Sequence, residues 1–479
     1  MAAKALMFQG TGSDVGKSLF VAGLCRLASK KGICVRPFKP QNMSNNAAVT
    51  ADNGEIGRAQ ALQALAAGIQ PSIHMNPILL KPETENGSQI VVQGRLYGHA
   101  TAKQYQKMKE DLFPFVMDSF EKIREEADLV LIEGAGSPAE INLRANDIAN
   151  MGFATVANIP VVLIGDIDRG GIIASIVGTK AVLSDIDRAQ IKAFVINKFR
   201  GDVSLFSDGM AQIEKFTRWK GLGVIPWFEE ASKLPAEDAM GLKAIVSSER
   251  NEFIVAVPQL SRIANFDDLD PLRMEPGVDL ILVRPGEVMP VDADMILLPG
   301  TKSTIGDLMF LREQGWHIDI ASHVRRGGSI LGLCGGYQML GKKISDPMGI
   351  ESSEKEIDGL GFLDVETVLT SKKTLTSVRG KDTMFDADIS GYEIHIGKTS
   401  GFDCNRTIIR LEEDGKVKFD GASSHDGRIM GSYIHGIFAS NSFRSAFLNN
   451  LGLKKEKSID FNWEVESTLD KLADHLQKY

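Results

Sequence analysis

The residues best able to do chemistry fall in two distant stretches. The first, Gly10-Thr11-Gly12-Ser13-Asp14-Val15-Gly16-Lys17-Ser18, follows the apolar run ALMF and opens the helical period SLFVAGLCRLASKKG. Glycines in such a loop let backbone N–H groups converge on phosphate oxygens, and the helix N-terminus adds positive potential. Lys17 can then bridge the outer phosphates, and the Ser18 hydroxyl can ligate Mg2+. Five residues rather than the common four separate Gly10 from Gly16. The second stretch, Ser329-Ile330-Leu331-Gly332-Leu333-Cys334-Gly335-Gly336-Tyr337-Gln338, sets a cysteine between an apolar strand and a helix. A sharp turn there lifts the sulfur above a sheet, the helix N-terminus favours the thiolate, and the Gly335 N–H can stabilise a tetrahedral oxyanion. The preceding loop, Leu298 to Ser303 with Gly300 and Thr301, could supply the other backbone donor.

Other candidates cluster at the ends of apolar runs. Glu133 follows DLVLI and precedes Gly134-Ala135-Gly136, where a carboxylate can hold Mg2+ directly or through water, or cap a glycine turn. Asp166, Asp168 and Arg169 in GDIDRGG could order metal, phosphate or an anionic substrate, with helix capping as the alternative for either aspartate. Asn197-Lys198 ends AFVI, where a nucleotide base or ribose could be read. Lys39, Arg58, Arg144, Arg169, Lys198 and Arg200 lie in or near predicted loop ends, which suits an anionic substrate beside a triphosphate. A thiol nucleophile needs a base, and His435, which ends MGSYI, is the favoured partner because catalytic pairs assemble in space. His395, in the glycine-bounded GYEIHIG, suggests substrate or interface contacts.

These residues need elements to position them. Short apolar runs alternate with glycine-rich turns and helical periods in ALMFQG, ICVRPFKP, DLVLIEGAG, PVVLIGDIDRGG and AFVINKFRGD. That alternation predicts an α/β, doubly wound, mostly parallel sheet with functional loops at the strands' C-terminal ends. A polar, acidic stretch between Trp227 and Arg250 reads as a connector. A second strand series, FIVAVPQL, DLILVRP, MILLPG and SILGLCGG, predicts another α/β domain. The expected division is 1–235 for the phosphate-loop domain, 252–443 for the thiol domain and 444–479 for a C-terminal helical extension.

Composition excludes several classes. The 479 residues are 43% apolar, enough for more than one core, and Lys+Arg 54 against Asp+Glu 62 gives a net charge of -8. No basic bias invites nucleic acid or acidic lipid. No apolar run approaches a membrane span, and MAAKALMFQG turns glycine-rich before a signal-peptide core could form, so a cytoplasmic protein is expected. Cys25, Cys34, Cys334 and Cys404 lack C-x-x-C spacing, which argues against a zinc knuckle or disulfide framework.

The N-terminal half resembles dethiobiotin synthetase through GTGSDVGKS, the FKP at Phe38 to Pro40, and Glu133. The C-terminal half resembles a class I glutamine amidotransferase domain through LPGTKST, GLCGGYQML and GSYIHGIF. With QNMSNN, EIGRAQ, DIDRGG and GYEIHIGKTSG, the whole chain resembles the cobyric acid synthase family of cobalamin biosynthesis. That resemblance implies glutamine hydrolysis at Cys334 through a thioester, and ATP-dependent activation of a corrinoid carboxylate as an acyl phosphate that ammonia then attacks. The corrinoid implied is adenosylcobyrinic acid a,c-diamide, amidated at its b, d, e and g carboxylates. It also implies Ser18 and Glu133 as Mg2+ ligands with Glu55 as a third, and Lys39 on substrate or phosphate; with Lys39, the loop residues Gly12, Gly16, Lys17 and Ser18 and the strand-end Asn197 are the expected ATP contacts. Most amidotransferase domains carry His-x-Glu, whereas Gly436-Ile437 follows His435, so a Cys-His dyad is expected. The nearest rival is cobyrinic acid a,c-diamide synthase. Another is a P-loop ATPase with a glutamine-sensing module, disfavoured because no lysine lies between Lys4 and Lys17.

Overall fold

The computed structural model describes residues 3–83, 87–237, 253–352, 354–413, 416–453 and 458–479. Residues 238–252, in which the expected connector ends and the second domain was expected to begin, lie outside them. The chain divides into two compact units. Residues up to Ser44, Thr50–Glu237 and Val465–Tyr479 form the first, and Asn45–Val49 with the residues up to Glu464 form the second. Among the described residues no helix is long and apolar enough to cross a membrane.

The first unit is built on a six-stranded parallel sheet of β1 (Lys4–Gly10), β2 (Val35–Phe38), β3 (Leu129–Glu133), β4 (Val161–Asp166), β5 (Ile191–Phe199) and β6 (Lys220–Pro226). Their order is β6-β5-β4-β1-β3-β2. All six residues of β4 are buried, as a strand covered by helices on both faces must be. Because β1 lies between β3 and β4, the chain order reverses around it, and the loops at its C-terminal end face a crevice. Register sets Phe8 beside Glu133 and Gly10 beside Ile164, so the glycine loop and the β3 carboxylate emerge together. Helix α1 (Lys17–Lys30) follows the loop and stops where Gly32 takes a left-handed φ of 73°. There the Ile33 N–H bonds Ala28 O at 3.1 Å, a glycine-dependent helix ending. A smaller sheet of Gln41–Met43, Ile78–Pro82, Gly87–Val92 and Arg95–Thr101 is inserted before β3, with helix α2 (Arg58–Ala67) within the same stretch.

The second unit holds another six-stranded sheet: β7 (Phe253–Pro258), β8 (Val278–Val283), β9 (Met295–Leu298), β10 (Ser329–Leu333), β13 (Ala422–Ser423) and β14 (Ile429–Ser432). The order is β8-β7-β9-β10-β14-β13, parallel except at the β13 edge. A long antiparallel hairpin of β11 (Glu366–Asp382) and β12 (Asp388–Ser400) is the heart of a further sheet, which β15 (Ile434–His435) joins through β12. The C-terminal helix, Phe461–Lys478, brings Leu472 and Leu476 against Gly23 of α1, where any β-carbon would meet Leu476 Cδ1 at 2.5 Å. Lys30 pairs with Asp474 at 2.9 Å along the same contact. Thus the stretch 444–479 is divided, with Val465–Tyr479 belonging to the first unit.

Candidate active site

In the second unit, β10 runs into Cys334 at φ 51° and ψ -108°, and a short helix, Gly335–Leu340, begins at the next residue. A cysteine in this sparsely populated region is strained, and the surrounding packing must hold it there. The glycines beside it are needed for space. A β-carbon at Gly332 would lie 2.6 Å from Gly336 O, and one at Gly336 would overlap Leu298 O. The Cys334 N–H bonds Ser432 O at 2.8 Å, and its Sγ lies 3.6 Å from Ile394 O.

The thiol is in hydrogen-bonding contact with His435, which is fully buried. His435 Nδ1 lies 2.6 Å from Asp268 Oδ2, while Asp268 Oδ1 accepts the Gly436 N–H at 2.5 Å. The carboxylate can only accept, so Nδ1 carries a proton and Nε2 is left to face the sulfur. Burial works against the imidazolium, but Asp268 and then Cys334 outweigh it, and the His435 pKa is raised to about 10. The Tyr392 ring stacks on the imidazole at a centroid distance of 5.2 Å. No acid follows His435 in the sequence, and the carboxylate that holds Nδ1 beside the Cys-His pair comes instead from a 3-10 turn at Phe266–Leu269, 167 residues earlier in the chain. Gly300 closes against this group, since a β-carbon there would stand 2.8 Å from His435 Cε1. At Gly335 a β-carbon would stand 3.2 Å from Thr301 N, which puts the Gly335 and Thr301 backbones side by side at the elbow.

His395 has a different setting. Its Nδ1 lies 2.9 Å from Gly397 O, and its ring stacks on Tyr433 at 3.8 Å. Tyr433 OH in turn meets Thr399 Oγ1 at 2.6 Å and Gln338 Nε2 at 3.2 Å, so His395 is part of the packing behind the elbow's helix.

In the first unit, Gly16 has φ 91° and Asp14 φ 58°, backbone that wraps the loop around an open centre. Gly12 has no atom within 4 Å of where a β-carbon would sit. Lys17 Nζ is held by Gly12 O at 3.0 Å and Gly136 O at 3.2 Å. Burial lowers its pKa, an effect that Glu133 opposes. Ser18 Oγ lies 2.7 Å from Glu133 Oε1 and 2.8 Å from Glu237 Oε2. One hydroxyl proton cannot serve both carboxylates at once, and Lys39 supplies the missing charge with Nζ 2.9 Å from Glu133 and 3.0 Å from Glu237. Burial disfavours the Lys39 ammonium, yet the two carboxylates outweigh it and hold its pKa above the usual range. Gln63, on α2, donates to the other Glu133 oxygen at 2.6 Å.

A hydroxyl and two carboxylates are hard oxygen donors of the kind Mg2+ takes with phosphate oxygens and water, so the donor set at Ser18 fits that ion. Among the described residues no group of three or more His, Cys, Asp or Glu gathers to hold a metal unaided. Glu55, expected as a third ligand, is not among the Ser18 partners. Its Oε2 accepts from Lys81 Nζ at 2.9 Å, and both groups are buried. Glu237 is the carboxylate that stands at Ser18, and sequence reasoning missed it because it sits in a polar run read as a connector.

The remaining candidates buttress the loop. Asn197 Nδ2 donates to Val15 O at 2.8 Å. Lys198, itself at φ 63°, pairs with Asp166 at 2.9 Å and also reaches Asp14 O. Arg169 meets Asp14 at 3.2 Å. Arg200 pairs with Asp168 at 2.6 Å and stacks over the Trp227 ring at 3.7 Å. Arg144 is held by Asp187 through two bonds of 2.9 Å. These cations, expected to meet an anionic substrate, have acidic partners in the chain itself.

Residues 6–240 match the model of the CobQ/CobB/MinD/ParA nucleotide binding domain, and residues 254–443 that of the CobB/CobQ-like glutamine amidotransferase domain. Cobyric acid synthase of Brucella suis biovar 1 is 57% identical over 475 residues, 99% of this chain and 97% of its own length. The enzyme of Brucella anthropi is also 57% identical, and that of Brucella melitensis biotype 2 is 56% identical, each over the same shares. A solved structure of PurLQS from Thermotoga maritima overlaps with TM-score 0.31 and 19% identity, covering 45% of this chain and 97% of that one, a likeness too slight to argue from. Identity at this level along both units means that the chain belongs to the cobyric acid synthase family.

Proposed function

We propose that this chain hydrolyses glutamine at Cys334 and uses the ammonia to amidate the b, d, e and g carboxylates of adenosylcobyrinic acid a,c-diamide, with ATP and Mg2+, in the cytoplasm. The observation that carries the reading is the strained Cys334 at a strand-to-helix junction in contact with an acid-held His435, in a chain whose other unit opens on a phosphate loop. Four unpaired cysteines suit a reducing compartment.

His435 Nε2 takes the thiol proton as sulfur attacks the glutamine carboxamide carbon. The Gly335 N–H, with the Gly300-Thr301 backbone opposite, receives the oxyanion. The imidazolium returns the proton to the departing nitrogen, ammonia leaves, and water then splits the thioester to glutamate. In the first unit a substrate carboxylate oxygen attacks the terminal phosphoryl group of ATP and displaces ADP, which gives an acyl phosphate. Lys17 and the α1 N-terminus stabilise the charge that develops, and Lys39 steadies the carboxylates beside Ser18. Mg2+, held by Ser18 with Glu133 or Glu237, would offset further phosphate charge. Ammonia displaces phosphate from the acyl carbon to give the amide.

Asp268 acts through His435 as a positioning residue. Asp268→Asn is expected to lower glutamine-dependent turnover by about 10²–10⁴-fold, because the amide can hold the wrong imidazole tautomer. Synthesis from free ammonia should stay at the parental rate. Undiminished glutaminase in this variant would remove Asp268 from the site.

The overall reading is tested with glutamine labelled by 15N in its side-chain amide, ATP, Mg2+ and corrinoid diamide in large excess over enzyme. Mass spectrometry should show label entering the corrinoid in successive steps. The chain has one phosphate loop and one cysteine elbow, and four similar carboxylates cannot all lie within about 3.5 Å of one reacting centre, so partly amidated corrinoids should appear free in solution. Absence of label from the product would overturn the function. Only diamide and fully amidated product at every time point would overturn release between steps.

A further inference from the structure

Asn265 stands at a left-handed φ of 52°, buried, with the two ends of its carboxamide facing different groups. Its Oδ1 accepts the Ala47 N–H at 3.1 Å, and its Nδ2 lies 3.3 Å from His435 Nε2. Ala47 belongs to Asn45–Val49, the five residues that the chain contributes to the second unit between Ser44 and Thr50 of the first. Lys39, which holds Glu133 and Glu237 beside the phosphate loop, comes eight residues before Ala47 in the sequence.

A carboxamide accepts at one end and donates at the other, whereas a backbone N–H only donates. Ala47 therefore fixes Oδ1 toward itself and turns the Asn265 NH2 group toward His435. Since Nδ1–H is given to Asp268, Nε2 carries the lone pair that must take the thiol proton. An Asn265 N–H directed at that lone pair competes with the thiol for it. Once Nε2 is protonated, two donors face each other across the same gap. The seated amide thus works against the pull of Asp268 on the imidazolium and shifts the balance toward thiol and neutral imidazole. If Ala47 withdraws, the amide can rotate and present Oδ1 to the imidazolium N–H, which reverses the preference.

We propose that Asn265 is a positioning residue that ties glutamine hydrolysis to the synthetase unit: with Asn45–Val49 seated it restrains His435, and displacement of that segment, continuous with Lys39, releases it. This deepens the reading of Cys334 and His435 given above and rests on it. The device would keep ammonia from being made before a carboxylate is ready to receive it.

Asn265→Gly deletes the amide and keeps the left-handed backbone that glycine tolerates. Asn265→Asp keeps the shape but can only accept. For both, glutamate release is measured with and without ATP and corrinoid, together with the ratio of glutamate formed to amide formed. ATP-independent release should rise about tenfold, as removal of one ground-state hydrogen bond would give, and the ratio should climb well above one. The KM for glutamine and the rate of ammonia-dependent synthesis should stay at parental values, which a merely structural defect would not allow. Release at or below the parental level in both variants overturns the coupling. The double variant Cys334→Ser/Asn265→Gly should release no glutamate, and release from it would overturn the Cys334 assignment instead.

Discussion

Cys334→Ser is expected to reduce glutamine-dependent amidation by about 10³-fold or more while leaving ammonia-dependent amidation at the parental rate. The elbow's geometry is independent of the sulfur, because it is set by the glycines at 332, 335 and 336 and by the Cys334 N–H bond to Ser432 O. Serine should therefore occupy the same strained position with little disturbance. What it cannot do is ionise. His435, held by Asp268, can take the thiol proton as sulfur attacks, whereas an alkoxide is far too basic to form by the same transfer. Glutamine attack then stalls before the thioester. Ammonia enters after that step, so the phosphate-loop chemistry does not feel the loss. His435→Ala should show the same division between nitrogen donors. The measurement is amide formation with glutamine or with ammonium at alkaline pH, and equal loss with both donors would refute the assignment of Cys334 to the ammonia source alone.

The doubly wound fold is legible because local chemistry writes it. Every residue of β4 is apolar or small up to Asp166, and the Gly-Lys-Ser step announces a helix that starts at a phosphate loop. The elbow is legible for the same reason, since three glycines and a cysteine within five residues encode a turn without help from elsewhere. Asp268 is not. It shares NFDDLDPL with Asp267 and Asp270, three aspartates of one type, and only the left-handed turn at Asn265 decides which one meets His435. Glu237 is hidden likewise, because an acid among acids on a polar run carries no mark of the lysine it pairs with 198 residues away. The hairpin of β11 and β12 also escapes a reading by helix-strand alternation. Its seventeen and thirteen residues are long, largely polar strands whose pairing follows from register rather than from any apolar run.

Lys17→Ala and Glu133→Ala should behave in the opposite sense to Cys334→Ser, losing amidation with either nitrogen donor while the ATP-independent part of the glutaminase activity survives. Lys17 is the cation at the centre of the loop. Buried and held by the Gly12 and Gly136 carbonyls, its ammonium is hydrogen-bonded to no carboxylate among the described residues, so its charge is available to phosphate. Deleting it leaves the developing phosphoryl charge to the backbone N–H groups and Mg2+, a loss of about 10²–10³-fold by comparison with other preorganised donors. Glu133 works one step further out. It accepts from Ser18, Lys39 and Gln63 together, so alanine there strands a buried ammonium and a buried amide as well as removing an oxygen proposed to hold Mg2+. Its loss should therefore lower thermal stability of the first unit in addition to synthesis, whereas Glu133→Gln, which keeps the volume, should retain more stability and still fail in catalysis. Amide formation from ammonium, ATP consumption and glutamate release, measured side by side, separate these outcomes. Undiminished ATP-dependent amidation in Lys17→Ala or Glu133→Gln would mean that phosphoryl transfer takes place elsewhere in the chain.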